Sequence, residues 1–186
     1  MKNQIIKLGT AVAVALITFT SFSQTEVLEP ELANESNVVL QQMLDESPNL
    51  ETLYDQSYGY VVFPKVTKAG MGLGGAVSNG VVFQNHEIVS TSKLKQLTIG
   101  AQFGGQQYSE VIFFETKEAF DKFMNDELKL GAQASAVALK SGVSADASYA
   151  DGVAVFTQPI GGLMYEASIG GQHFRNSPII AESNAN

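Results

Sequence analysis

The spacing of hydrophobic positions changes near Tyr58, and the change divides the chain into a helical part and a β-rich part. Before Tyr58, apolar residues recur at helical spacing and predict an amphipathic helix from about Ser36 to Asp45, ended by Ser47-Pro48. Leu50, Leu53 and Tyr54 predict a second short helix or turn. The predicted apolar face of the first helix consists of Val38, Val39, Leu40, Met43 and Leu44.

From Tyr58 onward, short apolar runs alternate with turn-forming residues, as is typical of strands. Pro64 is expected to end the first strand, Asn79-Gly80 to form a hairpin, and Gly104-Gly105 to separate two further strands. A later piece, Ala132–Leu139, is compatible with a strand or a helix. The predicted strands cover residues 58–63, 70–78, 81–84, 97–103, 110–115, 132–139, 152–156 and 162–169.

One helix is predicted inside the β-rich part. Thr116 is a suitable N-cap, Ala119, Phe120 and Phe123 have the spacing of a buried face, and Gly131 stands where a helix C-cap belongs. The whole pattern predicts an α+β domain: a strongly curved, mainly antiparallel, barrel-like or roll-like β-sheet with an N-terminal helical segment and one helix near residues 117–128.

The first 23 residues have the features of a cleaved secretory signal peptide. Lys2 and Lys7 precede an apolar run over residues 8–22, and the small residues at Ser21 and Ser23 suit cleavage near Ser23-Gln24. A retained anchor is the alternative. We therefore expect an exported protein, periplasmic or secreted, with an acidic flexible leader (24–35), a single domain (36–174) and a polar tail (175–186).

Charge and cysteine content exclude several functions. The chain has 11 Lys and Arg against 19 Asp and Glu, a net charge of −8. Nucleic-acid binding needs a basic footprint, so this balance argues against it. The chain has no cysteine, which excludes disulfides, thiol catalysis and thiolate metal sites.

The motifs of catalysis and cofactor binding are weak or missing. Gly70–Gly75 matches G-x-G-x-x-G, but the residues that follow predict a hairpin rather than the helix that a dinucleotide site requires. His86 and His173 lack the spacing of a metal site, and the sequence has no G-x-S-x-G motif. We predict a protein that is not an enzyme and binds no cofactor, metal or nucleotide.

Four lysines stand out in this acidic chain. Lys65 and Lys68 flank the turn predicted after Pro64, and Lys93 and Lys95 lie in a predicted loop before Leu97. They form either a local anion or headgroup site or an ordinary set of solvated loop lysines.

Two ordered blocks, residues 59–75 and 100–114, resemble the SYLF domain, a lipid-binding domain of eukaryotic actin-patch proteins and of many exported bacterial proteins. The resemblance extends over about residues 50–171. Gln133 stands where the family often has an acid, and residues 157–160 replace a segment that often carries a basic residue.

The resemblance implies association with a lipid or membrane surface. The site that we predict on this basis combines headgroup-binding lysines, apolar contacts to acyl chains and glycines that allow close approach. A protein-interaction or structural module of the cell envelope, without lipid specificity, is the alternative. The predicted lipid-binding residues are Phe63, Lys65, Lys68, Gly70, Met71, Gly72, Leu73, Lys93 and Lys95.

Overall fold

A computed structural model describes residues 28–46, 48–131 and 149–179. The predicted signal peptide and the predicted element at 132–139 lie outside these residues. Within these ranges, three helices and four β-strands form an α+β fold, and the sheet is antiparallel with the order β1-β2-β4-β3. The elements are α1 (Pro30–Glu46), α2 (Pro48–Gln56), β1 (Gly59–Gln84), β2 (Glu87–Phe114), α3 (Lys117–Met124), β3 (Lys129–Gly131) and β4 (Val153–Pro178).

Three of the strands are much longer than the sequence predicted, because the expected breaks lie inside them. Pro64 does not end β1; it lies in an irregularity between Phe63 and Val66, where its missing N–H is tolerated. The hairpin predicted at Asn79-Gly80 was also wrong. The chain turns at Asn85 and His86, whose φ values of 50° and 65° are both positive, as a type I′ hairpin requires.

The long strands bend, so the sheet curls into a half-barrel. The bend brings the two halves of β1 together: a Cβ added to Gly80 would lie 2.5 Å from the Phe63 ring and 2.6 Å from the Val62 carbonyl oxygen. No side chain fits in that space. Gly80 therefore serves close packing within a strand rather than a turn, and the predicted strongly curved sheet is confirmed.

The helices agree better with the sequence. The first helix begins at Pro30, earlier than predicted, with proline in the first turn where its missing N–H is harmless. Thr116 caps α3 as expected, since its side chain accepts a hydrogen bond from the Ala119 N–H at 3.3 Å. The helix ends at Met124, and Gly131 lies in β3 rather than at a helix C-cap.

The two faces of the sheet are covered by different helices. The inner, concave face packs on α3, whose Phe120 and Phe123 lie among Phe63, Phe114 and Phe174. Phe63 and Phe174 belong to strands that are not neighbours, yet their ring centroids are 5.9 Å apart, which shows that this side is concave.

The outer face packs on α1 and α2 over part of its extent. Leu40 and Met43 of α1 and Leu50 and Leu53 of α2 are buried in one cluster with the sheet. The sheet residues of that cluster include Tyr60, Val62, Val81, Phe83, Val111 and Phe113. Beyond these positions the outer face of β1 and β2 has no helix over it within the described residues. None of the helices described here is both long and apolar enough to cross a membrane.

Candidate functional site

The lysine pair predicted at a turn after Pro64 lies instead in β1. Lys65 is exposed, whereas Lys68 is only 8% exposed. Odd spacing along a strand sends two side chains to opposite faces, so Lys65 and Lys68 cannot act together at one surface. The turn predicted at these lysines was wrong, and the structure does not bring the pair together at one exposed surface.

Other predicted site residues are also separated by the fold. Phe63 is fully buried in the core on the concave side, so the structure does not place it at an exposed surface. Gly70 and Gly72 lie in β1, where Gly72 has a φ of 72° close to the bend. No helix follows these glycines, so the local geometry of a dinucleotide site is not formed.

The outer face of β1 and β2 carries a cluster of exposed hydrophobic side chains. Met71 is paired with Phe103, and Leu73 with Ile99, and paired residues of an antiparallel sheet project to the same side. Leu97, and Val77 further along β1, follow at even spacing on that face. We call this cluster the apolar patch; its members, each 59–75% exposed, are Met71, Leu73, Val77, Leu97, Ile99 and Phe103.

Isolated exposed hydrophobic residues are normal, but six on one face of a sheet are not. Where α1 and α2 cover the same strands, the hydrophobic side chains of the outer face are buried against these helices. The patch is thus an outer surface suited to an apolar partner. Of the residues predicted from the sequence, Met71 and Leu73 belong to it.

Basic residues continue the same face beyond the patch. Lys95 is paired with Val77 on one side and with His173 on the other, and His173 is paired in turn with Lys129. Two positions along the same strands, Lys93 is paired with Arg175. We call these residues the basic row: Lys93, Lys95, Lys129, His173 and Arg175, all of them exposed.

The basic row gathers four of the 11 Lys and Arg residues of an acidic chain. Side chains at paired positions stand about 4.5–5.5 Å apart at Cβ, and like charges placed there repel one another. A bound anion would reduce that repulsion. Elsewhere in the fold, Lys117 and Lys122 on α3 form ion pairs with Asp121 and Glu118 at 2.6 and 2.8 Å.

Sequence analysis found Lys93 and Lys95 but missed Lys129, His173 and Arg175. A signal was present: Lys-Leu-Lys at 93–95 and His-Phe-Arg at 173–175 have the same two-residue alternation around a buried apolar residue. Only the register of β2 against β4 shows that the two triplets lie side by side.

The concave side contains a second polar feature, centred on Glu110. This carboxyl is 1% exposed and accepts a hydrogen bond from Gln172 Nε2 at 2.9 Å. Burial raises the pKa of Glu110 to about 7, while the hydrogen bond from Gln172 and the charge of Lys68 act in the opposite direction. It is an unusual group for the middle of a β-sheet core.

The histidines do not form a metal centre with their neighbours. His86 lies in the β1–β2 turn, with its ring 4.7 Å from that of Tyr54, and His173 belongs to the basic row. Among residues 28–46, 48–131 and 149–179, no three His, Asp or Glu side chains are grouped as a metal site would require.

Part of this site lies in a region that is similar to a known protein family. The sequence model of the Ysc84 family, described as "Las17-binding protein actin regulator", matches residues 95–178. That match includes β3, β4 and most of β2, hence most of the basic row and half of the apolar patch.

A curated relative extends the similarity over most of the chain. Beta cell expansion factor A of Aeromonas veronii is 29% identical over an alignment of 164 positions that covers 80% of this chain and 60% of that protein. The chain therefore spans about 60% of the length of this relative. With the match over residues 95–178, the resemblance to SYLF domains is confirmed: this part of the chain is similar to the Ysc84 (SYLF) family.

Proposed function

We propose that this protein is a non-enzymatic lipid-binding protein that associates with membrane surfaces through the apolar patch and the basic row. The observation that carries the proposal is that both lie on one continuous face, joined where Val77 is paired with Lys95. An amphipathic surface of this kind suits a bilayer, since hydrophobic side chains enter the acyl boundary while cations stay among the headgroups.

The charge distribution supports one orientation on the membrane. Helices α1 and α2 contain acidic residues and neither Lys nor Arg, so they would be repelled by an anionic surface. Each Lys or Arg close to such a surface contributes about 1 kcal/mol. The basic row would therefore be the part of this outer face that meets the lipid headgroups, despite the acidic helices on the same face and the net charge of −8.

The proposal revises the site predicted from the sequence. Lys65, Met71, Leu73, Lys93 and Lys95 remain as members or neighbours of the proposed surface, because all five are exposed. Phe63 and Lys68 do not, since both are buried. Export to the cell envelope, with cleavage near Ser23-Gln24, is part of the proposal and rests on the N-terminal sequence alone.

Vesicle co-sedimentation tests the proposal. Binding of the wild type to vesicles of a zwitterionic lipid, with and without 30% anionic lipid, is compared with that of two double variants. Ile99→Ser with Phe103→Ser should reduce binding to both vesicle types, because apolar contact does not depend on headgroup charge. Lys95→Gln with Lys129→Gln should reduce binding to anionic vesicles about thirtyfold at low salt, and less at 0.5 M salt.

The matched control is Lys117→Gln with Lys122→Gln, which removes the same charge from exposed positions on α3. It should bind anionic vesicles like the wild type if position, rather than net charge, matters. Folded variants that all bind as the wild type does, or a wild type that binds no vesicle at any salt concentration, would refute the proposal.

A protein-interaction role is the second candidate. It is favoured by the description of the matching family as Las17-binding, and the apolar patch would suit a protein partner too. Absence of vesicle binding together with a defined protein complex that is lost in the Ile99→Ser, Phe103→Ser variant would support this alternative.

A further inference from the structure

Glu110 and Gln172 form a contact that does not belong to the sheet ladder. Within the ladder, Glu110 is paired with Phe63 and Thr157, and Gln172 is paired with Gln96 and Leu130. The hydrogen bond from Gln172 Nε2 to Glu110 Oε2, 2.9 Å long, therefore crosses the concave face between the two halves of the folded sheet. It joins residues 62 positions apart.

The other oxygen of each group is buried without a hydrogen bond. Glu110 Oε1 and Gln172 Oε1 both lack a partner, and both residues are at most 3% exposed. A carboxylate and an amide carbonyl are acceptors only, so neither can satisfy the other. One proton on Glu110 would change this, because a carboxylic acid donates through its O–H while still accepting at its second oxygen.

We propose that Glu110 is a proton-dependent latch: as a neutral acid it closes a two-hydrogen-bond ring with the Gln172 amide across the folded sheet, and its ionisation opens that ring. In the closed form Glu110 donates to Gln172 Oε1 and Gln172 Nε2 donates to Glu110 Oε2. In the open form two buried acceptors remain unpaired, which destabilises the contact between the halves.

The surroundings of Glu110 favour the neutral form. Burial raises its pKa to about 7, so the change of state falls near neutral pH. The charged group that acts on it from β1 is Lys68, which favours ionisation but does not outweigh burial. From β4 the contact is the uncharged Gln172, and the ion-paired side chains of α3 are 49–80% exposed and face solvent.

The sign of the pH effect follows from this. The folded protein holds a proton on Glu110 that the unfolded chain loses at its ordinary pKa of 4.5. The stabilisation is complete below pH 4.5 and is lost progressively as the pH rises towards about 7. The latch is closed in mildly acidic surroundings and open in alkaline ones.

Urea unfolding followed by far-UV circular dichroism between pH 4.5 and 8.5 tests the latch independently of any lipid binding. Glu110→Gln is the informative variant, because an amide at this position can form the same two-bond ring at every pH. Relative to this variant, the folding equilibrium constant of the wild type should fall on the order of a hundredfold across the range, given a pKa of about 7 against 4.5.

Glu87→Gln provides the control, since it removes an exposed carboxyl next to the β1–β2 turn and should leave the wild-type pH profile unchanged. If wild type and Glu110→Gln show parallel pH profiles, the latch is refuted. Infrared difference spectra of the wild type give a second readout that does not depend on the variant folding. A protonated-carboxyl C=O band that disappears near pH 7 supports the latch, and its absence at pH 5 overturns it.

Discussion

Reversing the charge of Lys68 should destabilise the fold, whereas the same change at Lys65 should not. The two lysines lie three residues apart on β1, but Lys65 is exposed and Lys68 is 8% exposed. Lys68→Glu would place a second carboxyl in the concave interior, near Glu110. The two side chains are close, since the charge of Lys68 in the wild type lowers the pKa of Glu110. Lys65→Glu would change a side chain in solvent.

The magnitudes follow from burial. Breaking a buried charge arrangement by removing one partner costs about 3–5 kcal/mol, and a buried like-charge pair adds to that cost unless one member is protonated. We expect Lys68→Glu to lower the free energy of unfolding by about 3 kcal/mol or more. Surface changes such as Lys65→Glu usually remain within about 0.5 kcal/mol.

Urea unfolding of the two variants at pH 8.5, where Glu110 is ionised, measures this difference. Lys68→Met adds a refinement: it removes a charge that now lowers the pKa of Glu110, so the pKa of Glu110 should rise further and be visible by infrared titration. Equal unfolding midpoints for Lys65→Glu and Lys68→Glu would show that the Lys68 side chain is not held in the interior, and the reasoning about this cluster would fail.

Three further predictions concern packing and processing. Gly80→Ala should lower stability, since its Cβ would lie 2.5 Å from the Phe63 ring, whereas Gly105→Ala, with its nearest contact at 3.6 Å, should be tolerated; thermal melts compare the two. Phe123→Ala should reduce the free energy of unfolding by about 3–5 kcal/mol in urea titrations, because the ring is fully buried beneath α3. In the native host the mature chain should begin at Gln24 by intact-mass analysis, and retention of the basic N-terminal residues would contradict this.

Much of the architecture was predictable because local signals decided it. The Thr116 cap, the spacing of the α3 aromatics and the alternation of apolar residues all act within a few positions. The strand ends were not predictable in the same way. Three sequence features favour turns in isolation but lie inside continuous strands of the folded sheet: Pro64, Asn79-Gly80 and Gly104-Gly105. Pro64 lies at an irregularity of the ladder, Gly80 makes a close contact, and Gly104-Gly105 lies near the bend.

The sequence allowed individual residues of the candidate surface to be predicted, but not their grouping. Met71, Leu73, Lys93 and Lys95 have properties that the sequence displays directly. Their grouping with residues more than 70 positions away, such as Arg175 beside Lys93, depends on the pairing of β2 with β4. The Lys65–Lys68 error had a simpler origin, since a strand period of two would have separated them if β1 had been recognised as continuous.

The placement of the β1–β2 turn determines the order in which the sheet can assemble. That hairpin can form from Asn85-His86 outward, because each successive pair adds residues already close in the chain. Strand β4 has no such start: its contacts with β2 extend from the Phe114–Val153 pair to the Ser90–Pro178 pair, across an ever longer loop. Capture of β4 should therefore be the slow step of folding. Until β4 pairs with β2, the hairpin would expose the unpaired edge of β2. The basic row and the Glu110–Gln172 contact would then be incomplete, because both include residues of β4.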